Sequence, residues 1–248
     1  MKKLYALLIS LWTLEGILAL TIGVCLAGSL MLPTHLAFFS GIDETPLFEW
    51  LREAGEPGNT WWIYAMVACF GALGLVTAVC TIDHLLKLRG RRDFMARLFP
   101  QLMHMGLLLV MLGHLLTAWQ GTREDVLVHE GQKVKLGENT LLVQKVGLGP
   151  DTEKKDYYDD WTVEIAFGHA DAKLRPVDLK PMKPVRSGDT TLFFRSITLP
   201  MKGSAEKPSA LIRVVRDPGV LWALSGAMLI VLGGIGFLLT RTQASSSE

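Results

Sequence analysis

Four long apolar runs constrain this chain more than any other feature of its sequence. They cover approximately Leu4–Leu30, Trp61–Leu86, Leu98–Trp119 and Gly219–Leu239. A helix needs about 20 apolar residues to cross the hydrocarbon core of a bilayer, and each run is long enough. Half of the 248 residues are apolar, which is more than an ordinary soluble domain of this size carries. We therefore expect a membrane protein with four transmembrane α-helices.

The first run has some features of a cleaved signal peptide. Lys2 and Lys3 precede it, and a Leu-Ala-Gly sequence lies near residue 28. The run is nevertheless long and carries Glu15 near its middle. A lipoprotein signal is excluded because Val24 precedes Cys25, where a small residue is needed. We expect this run to be retained as a membrane helix.

The charges of the connecting segments predict the orientation of the helices. The segment 87–97 has five basic residues and one acid, which predicts a cytoplasmic loop by the positive-inside rule. The loop 31–60 is acidic and is expected on the other side. Both termini, including the tail 241–248, are then cytoplasmic. Residues 120–218 are expected on the periplasmic or outer side of a bacterial-type inner (cytoplasmic) membrane.

Residues 120–218 are predicted to be rich in β-strands. The segment DVLVHEGQKVKLGENTLLVQKV contains short alternating apolar runs, with turn signals at Glu130-Gly131 and Gly137-Glu138-Asn139. WTVEIAF, TTLFFRSITL and ALIRVVRD are predicted to be further strands. The expected fold class is therefore four transmembrane helices, with an extracytoplasmic β-rich domain between helices 3 and 4.

The cysteines and the net charge exclude several classes of function. Cys25, Cys69 and Cys80 all lie in apolar runs, so neither a disulfide framework nor a soluble zinc site is expected. The sequence has no Cys-x-x-Cys-His motif for covalent attachment of haem to itself. A net charge of +1 gives no indication of nucleic-acid binding.

The order of these features resembles the ResB family, whose members form half of the System II cytochrome c synthase. The segment TWWIYAMVACFGALGLVTAVCTIDHLLKL resembles the second span of that family. HMGLLLVMLGHLLTAWQGTREDVLVHEGQ resembles the third span and the strand after it, and RVVRDPGVLWALSGAMLIVLGGIGFLL resembles the Asp-Pro-Gly entry into the last span. The outside domain is much shorter than is usual in the family. The tryptophan-rich haem-handling segment of System II belongs to the partner, ResC, and is not found here.

The resemblance implies a function in cytochrome c biogenesis. The chain would carry haem b across the membrane and, with a ResC/CcsA-like membrane subunit, present it for thioether attachment to apocytochrome c. It would be an accessory subunit of the haem lyase rather than a catalyst alone. Two alternatives remain open: a b-type cytochrome subunit of a quinone-linked electron-transfer complex, and a haem-free membrane scaffold.

Two histidines interrupt the apolar run LFPQLMHMGLLLVMLGHLLTAW. His104 and His114 are ten residues apart, which on a helix is about 15 Å of rise and about 80° of rotation away from a common face. This spacing argues against two haems held on one face. A membrane histidine more often bonds to a neighbouring helix, but the resemblance implies that His104 is an axial ligand of haem iron. His114 is expected to line an outward route for haem, or simply to pack.

Two other histidines lie near the ends of the predicted helices. His84 is at the inner end of the second run, at a depth similar to that of His104. It is either a second axial ligand or, beside Asp83, part of a solvated helix end. The resemblance makes a second ligand from the partner subunit the expected arrangement. His35 is expected to be an interfacial loop residue, with a lesser role in contacting haem outside.

Glu15 is an acid in an apolar helix, where such a group usually faces protein and is paired or protonated. It is expected to pair with a polar group of the partner or to bond, protonated, to the backbone of a neighbouring helix. Gly106 and Gly113 share one helix face and should let another helix approach on the side away from His104. Membrane lipid is the remaining expected partner.

Overall fold

The computed structural model describes residues 10–88, 94–148, 161–169, 174–200 and 206–245. Four of its helices are long and apolar enough to cross a membrane. They are α1 (Leu11–Thr34), α3 (Pro57–Leu88), α4 (Phe94–Gln120) and α5 (Val220–Ser245), and a short helix, α2 (Leu47–Ala54), lies between α1 and α3. A strand-rich region separates α4 from α5. The predicted fold class is confirmed: the protein is a multi-pass membrane protein with a β-rich domain between its third and fourth membrane helices, which are α4 and α5.

The helices extend beyond the apolar runs that predict them. α3 begins at Pro57 rather than Trp61, because proline suits a first helical turn, where the backbone N–H has no partner within the helix. α1 continues to Thr34, although Pro33 lies within it. Hydropathy detects only the part of a helix that matches the hydrocarbon core, so polar helix ends are not detected. Residues 4–9 of the first expected span and residues 89–93 of the basic loop lie outside the described residues.

α1 and α3 pack through a glycine and an aromatic ring. The ring of Trp62 on α3 lies directly against Gly28 on α1, where a side chain would leave it no room. Trp62 also contacts Phe39, with ring centroids 5.9 Å apart, and Phe39 stacks on Trp50 of α2 at 5.8 Å. This apolar cluster fixes α2 against the C-terminal end of α1 and the N-terminal end of α3. Sequence analysis missed α2 because only one of its faces is apolar and it is too short to give a hydropathy signal.

α4 and α5 approach each other through glycines. A Cβ on Gly106 would lie 2.5 Å from the carbonyl oxygen of Gly226, so the two backbones are in contact. The contacts repeat every seven residues, which is the period of a left-handed helix pair. The facing pairs are Gly106 with Gly226, Gly113 with Gly219, and Phe99 with Gly233. The predicted close approach at Gly106 and Gly113 is confirmed, and the approaching helix is α5.

The β domain contains eight described strands in two antiparallel sheets. The strands are β1 (Thr122–His129), β2 (Lys133–Leu136), β3 (Asn139–Leu148), β4 (Trp161–His169), β5 (Arg175–Leu179), β6 (Val185–Ser187), β7 (Thr190–Thr198) and β8 (Ser209–Arg216). The first sheet has the order β1-β8-β7-β6, and the second has the order β2-β3-β4-β5. Alternate apolar residues of both sheets form one buried core, which includes Val128, Leu141, Ile165, Leu179, Leu192 and Ile212.

The strands that sequence analysis missed lie at sheet edges. β5 contains Pro176, which lacks a donor for strand pairing, and β6 is only three residues long. Neither has the alternating apolar pattern of a central strand. The turns predicted at Glu130-Gly131 and Gly137-Glu138-Asn139 are present, and both glycines adopt positive φ angles, of 82° and 62°.

Part of the loop between α1 and α3 belongs to the β domain. Residues 43–46 cluster with residues 120–218. The backbone N–H of Arg123 donates to the carbonyl of Glu44 at 3.2 Å, and the side chain of Arg123 pairs with Asp43 at 3.5 Å. These contacts require this loop and the β domain to lie on the same side of the membrane.

Candidate functional site

His84 and His104 lie at the same end of two adjacent helices. α3 contacts α4 where Gly74 faces Met111, since a Cβ on Gly74 would lie 3.3 Å from Met111 Cε. His84 is ten residues further along α3, and His104 is seven residues back along α4. At 1.5 Å of rise per residue, the two histidines differ in depth by about 5 Å. We call these two residues, which lie at a similar depth on adjacent helices, the histidine pair.

The ring of His84 has a defined orientation. Its Nδ1 lies 2.9 Å from the carbonyl oxygen of Cys80, one turn earlier in α3. Since a carbonyl can only accept a hydrogen bond, Nδ1 carries the proton and Nε2 keeps its lone pair. An Nδ1–H bonded to a backbone carbonyl is the usual arrangement of a metal-ligating histidine, because it fixes the tautomer and increases the basicity of Nε2.

Both members of the histidine pair lie on the surface of the membrane helices. His84 and His104 are exposed in the isolated chain, between exposed apolar neighbours such as Ile82 and Met105. Asp83 forms an ion pair with Lys87 at 2.6 Å, as expected at a solvated helix end. A polar ring on a lipid-facing helix surface is costly unless a partner or ligand covers it. Imidazole nitrogens in apolar surroundings are the donors that a flat apolar group containing iron takes, so the pair fits such a group.

Two buried polar groups, which sequence analysis missed, lie one turn before the histidines. Thr81 on α3 and Gln101 on α4 are 3% and 6% exposed. Within the described residues, Thr81 Oγ1 and Gln101 Oε1 find no hydrogen-bond partner. Such groups rarely stay unpaired inside a protein, so each is a candidate for a hydrogen bond to water or to a bound group. A search for polar residues spaced three before each membrane histidine would have found both.

His114 lines a different surface. An apolar groove of about 570 Å³ lies between α3, α4 and α2, and His114 is the ionisable group in its lining. Met66, Phe70 and Met111 form parts of its walls, and Gly71 leaves open space in it. This groove, which we call the His114 groove, falls within the volume range of small-molecule sites. His104 is not in its lining, so the two histidines of α4 belong to separate surfaces.

The other candidate residues lie apart from these surfaces. His35 is exposed at the end of α1, where its carbonyl accepts hydrogen bonds from the N–H groups of Phe38 and Phe39. Glu15 is exposed on α1, and no described residue forms an ion pair or hydrogen bond with it. The described part of the chain thus offers no helix to which a protonated Glu15 bonds. It also contains no cluster of three His, Cys, Asp or Glu side chains that could hold a free metal ion.

Comparison with solved structures gives a structural likeness at low sequence identity. No family model and no curated protein matches the sequence. Among solved structures, the chain is similar to the cytochrome c haem lyase CcmF, with 15% sequence identity and a TM-score of 0.44. The match covers 82% of this chain and 34% of that protein, so this chain spans about a third of its length.

Proposed function

We propose that this chain is a ResB-like membrane subunit of a cytochrome c maturation complex, in which the histidine pair holds haem b as cargo. The observation that carries the proposal is the arrangement of His84 and His104: two imidazoles at similar depth on adjacent helices, both on the exposed apolar surface of the helices. The sequence resemblance to ResB proteins supports the same role. It also supports the proposal that the β domain lies on the periplasmic side.

The chain's own residues would bind and orient the cargo. His104 supplies one axial imidazole, and His84 supplies the second through the Nε2 that its bond to Cys80 leaves available. The sequence resemblance favoured a second ligand from the partner, whereas the similar depth of His84 and His104 on adjacent helices supports His84. Haem supplies the vinyl groups, across which the thiols of apocytochrome c add to form thioethers. No cysteine of this chain acts as a nucleophile in that addition.

The exposed polar residues of the membrane helices support a partner subunit. His84, His104 and Glu15 are all exposed on the membrane helices, where lipid offers no partner to His84 Nε2, to the His104 ring or to the Glu15 carboxyl group. A ResC/CcsA-like membrane subunit would cover the histidine pair and exclude lipid and water from it. Apocytochrome c would meet the complex on the side of the β domain.

The test is the haem content of His104→Ala, measured on purified protein together with maturation of a reporter cytochrome c. We expect most of the haem to be lost and maturation to stop. Added imidazole should partly restore both, because it fills the cavity and the open coordination position. His169→Ala, on β4, is the matched control and should change neither measurement. Full haem content and normal maturation in His104→Ala would refute the proposal.

A b-type cytochrome subunit is the second candidate, and the presence of two imidazoles on adjacent helices also favours it. The two functions differ in what reduces the haem and in what depends on it. An electron-transfer subunit would be reduced by quinol at a catalytic rate in strains that lack c-type cytochromes. A maturation subunit would show no quinol turnover, and its deletion would leave apocytochromes c without haem.

A further inference from the structure

The β domain carries a strongly basic groove on the outer face of its first sheet. The groove has a volume of about 480 Å³ and lies beside β7 and β8. Five cationic side chains line it, and no acidic residue is in the lining. The cations are Arg123, Lys180, Lys183, Arg195 and Arg213. We call this surface the basic groove, and none of the membrane histidines contributes to it.

Two carboxylates beside the basic groove orient its arginines. Asp125 accepts two hydrogen bonds of 2.7 Å from Arg213 and lies 3.9 Å from Arg195. The hydrogen bond from Arg213 lowers the pKa of Asp125, so this carboxylate stays ionised. Asp43 pairs with Arg123. The hydrogen bond to Asp125 raises the pKa of Arg213 and the charge of Glu44 also raises it, so five cations face three nearby acids and the excess is two positive charges. Lys180 and Lys183 have no ion-pair partner among the described residues.

A β-bulge places Arg195 in the basic groove. In the register between β7 and β8, Phe194 pairs with Ile212 and Ser196 pairs with Leu211, so Arg195 is an extra residue in β7. Such a bulge redirects a side chain, and bulges are frequent beside functional sites. Phe193, which is 39% exposed, lies on the same lining and gives the groove an apolar floor.

The turn at the edge of the basic groove is strained. The N–H of Lys183 donates to the carbonyl of Lys180 at 3.1 Å, with Pro181 and Met182 between them. Met182 has a φ of 61° at the position where a type II turn prefers glycine or asparagine. Its side chain is 98% exposed, so packing of this side chain does not offset the cost of the backbone conformation. Strained residues cluster at active sites and ligand clamps, and this one presents an exposed thioether beside a cationic groove.

We propose that the basic groove binds a flat, apolar dicarboxylate, the chemical class to which haem belongs. Lys180 and Lys183 would pair with the carboxylates, Phe193 would contact one face of the ring, and Met182 would cover its edge. The site would receive haem on the side of the membrane where the β domain lies, so the inference rests on the proposed function and names a second position for its cargo. A groove of this volume suits one such molecule.

The experiment measures binding of metal-free protoporphyrin IX and its dimethyl ester to the full chain in lipid nanodiscs, with empty nanodiscs as the reference. The variant Lys180→Gln/Lys183→Gln should bind the diacid about tenfold more weakly. Lys133→Gln/Lys135→Gln, which changes two exposed lysines of β2, is the matched control and should stay within about twofold of the unchanged chain. The dimethyl ester lacks both carboxylates. Its affinity for the unchanged chain should therefore be no higher than the affinity of the diacid for Lys180→Gln/Lys183→Gln.

Met182→Gly provides a second test, in which stability and ligand affinity should change in opposite directions. Glycine relieves the positive φ, so the unfolding midpoint of the β domain should rise, while affinity for protoporphyrin IX should fall several-fold. If Met182 had only a structural role, its replacement would not raise the unfolding midpoint while lowering the affinity for protoporphyrin IX. Equal affinity of the lysine variant and the unchanged chain, or of ester and diacid, would overturn the proposal.

Two further outcomes separate the alternatives. If changing the five acidic residues between Asp151 and Asp160 to amides strengthened binding of the diacid more than tenfold, the chain's own acidic segment would compete for the groove, and binding of the diacid there would be supported. If the lysine variant bound porphyrin normally while His104→Ala lost its haem, ligand binding by the basic groove would be refuted and the proposed function would stand. If the lysine variant lost porphyrin binding while His104→Ala kept its haem, the proposed function would be refuted and ligand binding by the groove would stand.

Discussion

Gly106 of α4 faces Gly226 of α5 across a contact in which the two backbones touch. The same register continues one heptad away on both sides, where Gly113 meets Gly219 and Gly233 meets the backbone of Phe99. Small residues at a seven-residue period allow two apolar helices to approach closely in lipid, where no hydrophobic effect drives them together. This contact leaves the opposite side of α4, which carries His104, free for the histidine pair.

The glycine register predicts a large difference between two glycines of one helix. A Cβ on Gly226 would clash with the Gly106 carbonyl, whereas Gly234 has open space around its Cα. Gly226→Ala should therefore lower stability in detergent by about 1–3 kcal/mol, the usual cost of overpacking. Gly234→Ala should be neutral or slightly stabilising. Thermal unfolding midpoints measure both, and equal midpoints would show that the helices do not pack through this face.

The sequence was sufficient to predict the parts of the fold that follow from regular patterns. Hydropathy identified four helices, two-residue alternation identified the long strands, and the spacing of Gly106 and Gly113 identified a packing face. Patterns failed for α2, β5 and β6, which are short or lie at an edge and owe their structure to tertiary contacts. The similar depth of His84 and His104 was also predicted from the sequence. The buried polar groups of Thr81 and Gln101 required the structure, because their burial depends on how the helices pack.

The orientation of the chain is predicted by its loops. A reporter that is active only outside the cytoplasm should work when fused after Gly58 or Gln144, and should be silent after Arg91 or at the C-terminus. The acidic first loop and the basic segment 87–97 give this order. Since residues 43–46 pack in the β domain, the first two fusions must agree with each other. An active fusion after Arg91 would reverse the topology and remove the support for the ResB resemblance.

His84 is predicted to be the second axial ligand. In haem-loaded chain purified without a partner, the unchanged protein should give a six-coordinate, low-spin spectrum. His84→Ala should give a five-coordinate, high-spin spectrum, because His104 alone would hold the iron. His129→Ala, in the β domain, is the control. A low-spin spectrum in His84→Ala that appears only with the partner subunit present would assign the second ligand to that subunit instead.

An acidic side chain makes the stability of the β domain depend on pH. Although burial alone raises the pKa of Asp189, hydrogen bonds from Arg216 at 2.8 Å and Thr190 at 3.1 Å lower it below its ordinary value of 3.8. A lowered pKa stabilises the fold above pH 3.8, and this contribution is lost as the pH falls through the folded-state pKa. Asp189→Asn should therefore lower the unfolding midpoint by a few degrees at pH 7. At about pH 2 it should match the unchanged chain.

The control for that measurement is Asp178→Asn, which changes an exposed acid on β5 that is outside the Asp189 contacts. Its midpoint should follow that of the unchanged chain across the same pH range. A difference between Asp189→Asn and the unchanged chain that stayed constant down to pH 2 would mean that the residue acts through shape rather than charge.

The last prediction tests whether the His114 groove is used. Gly71 lines the groove, and a Cβ there would meet no other atom, so Gly71→Leu should fill the space without disturbing the helices. Haem held by the histidine pair should remain, because His104 and His84 are outside the groove lining. Cytochrome c maturation should fall at least several-fold if haem passes His114 on its way outward. Gly23→Leu on α1, which also meets no atom, is the matched control and should leave maturation unchanged. Normal maturation in Gly71→Leu, with the groove filled, would mean that His114 only packs and that the cargo leaves the histidine pair by another surface.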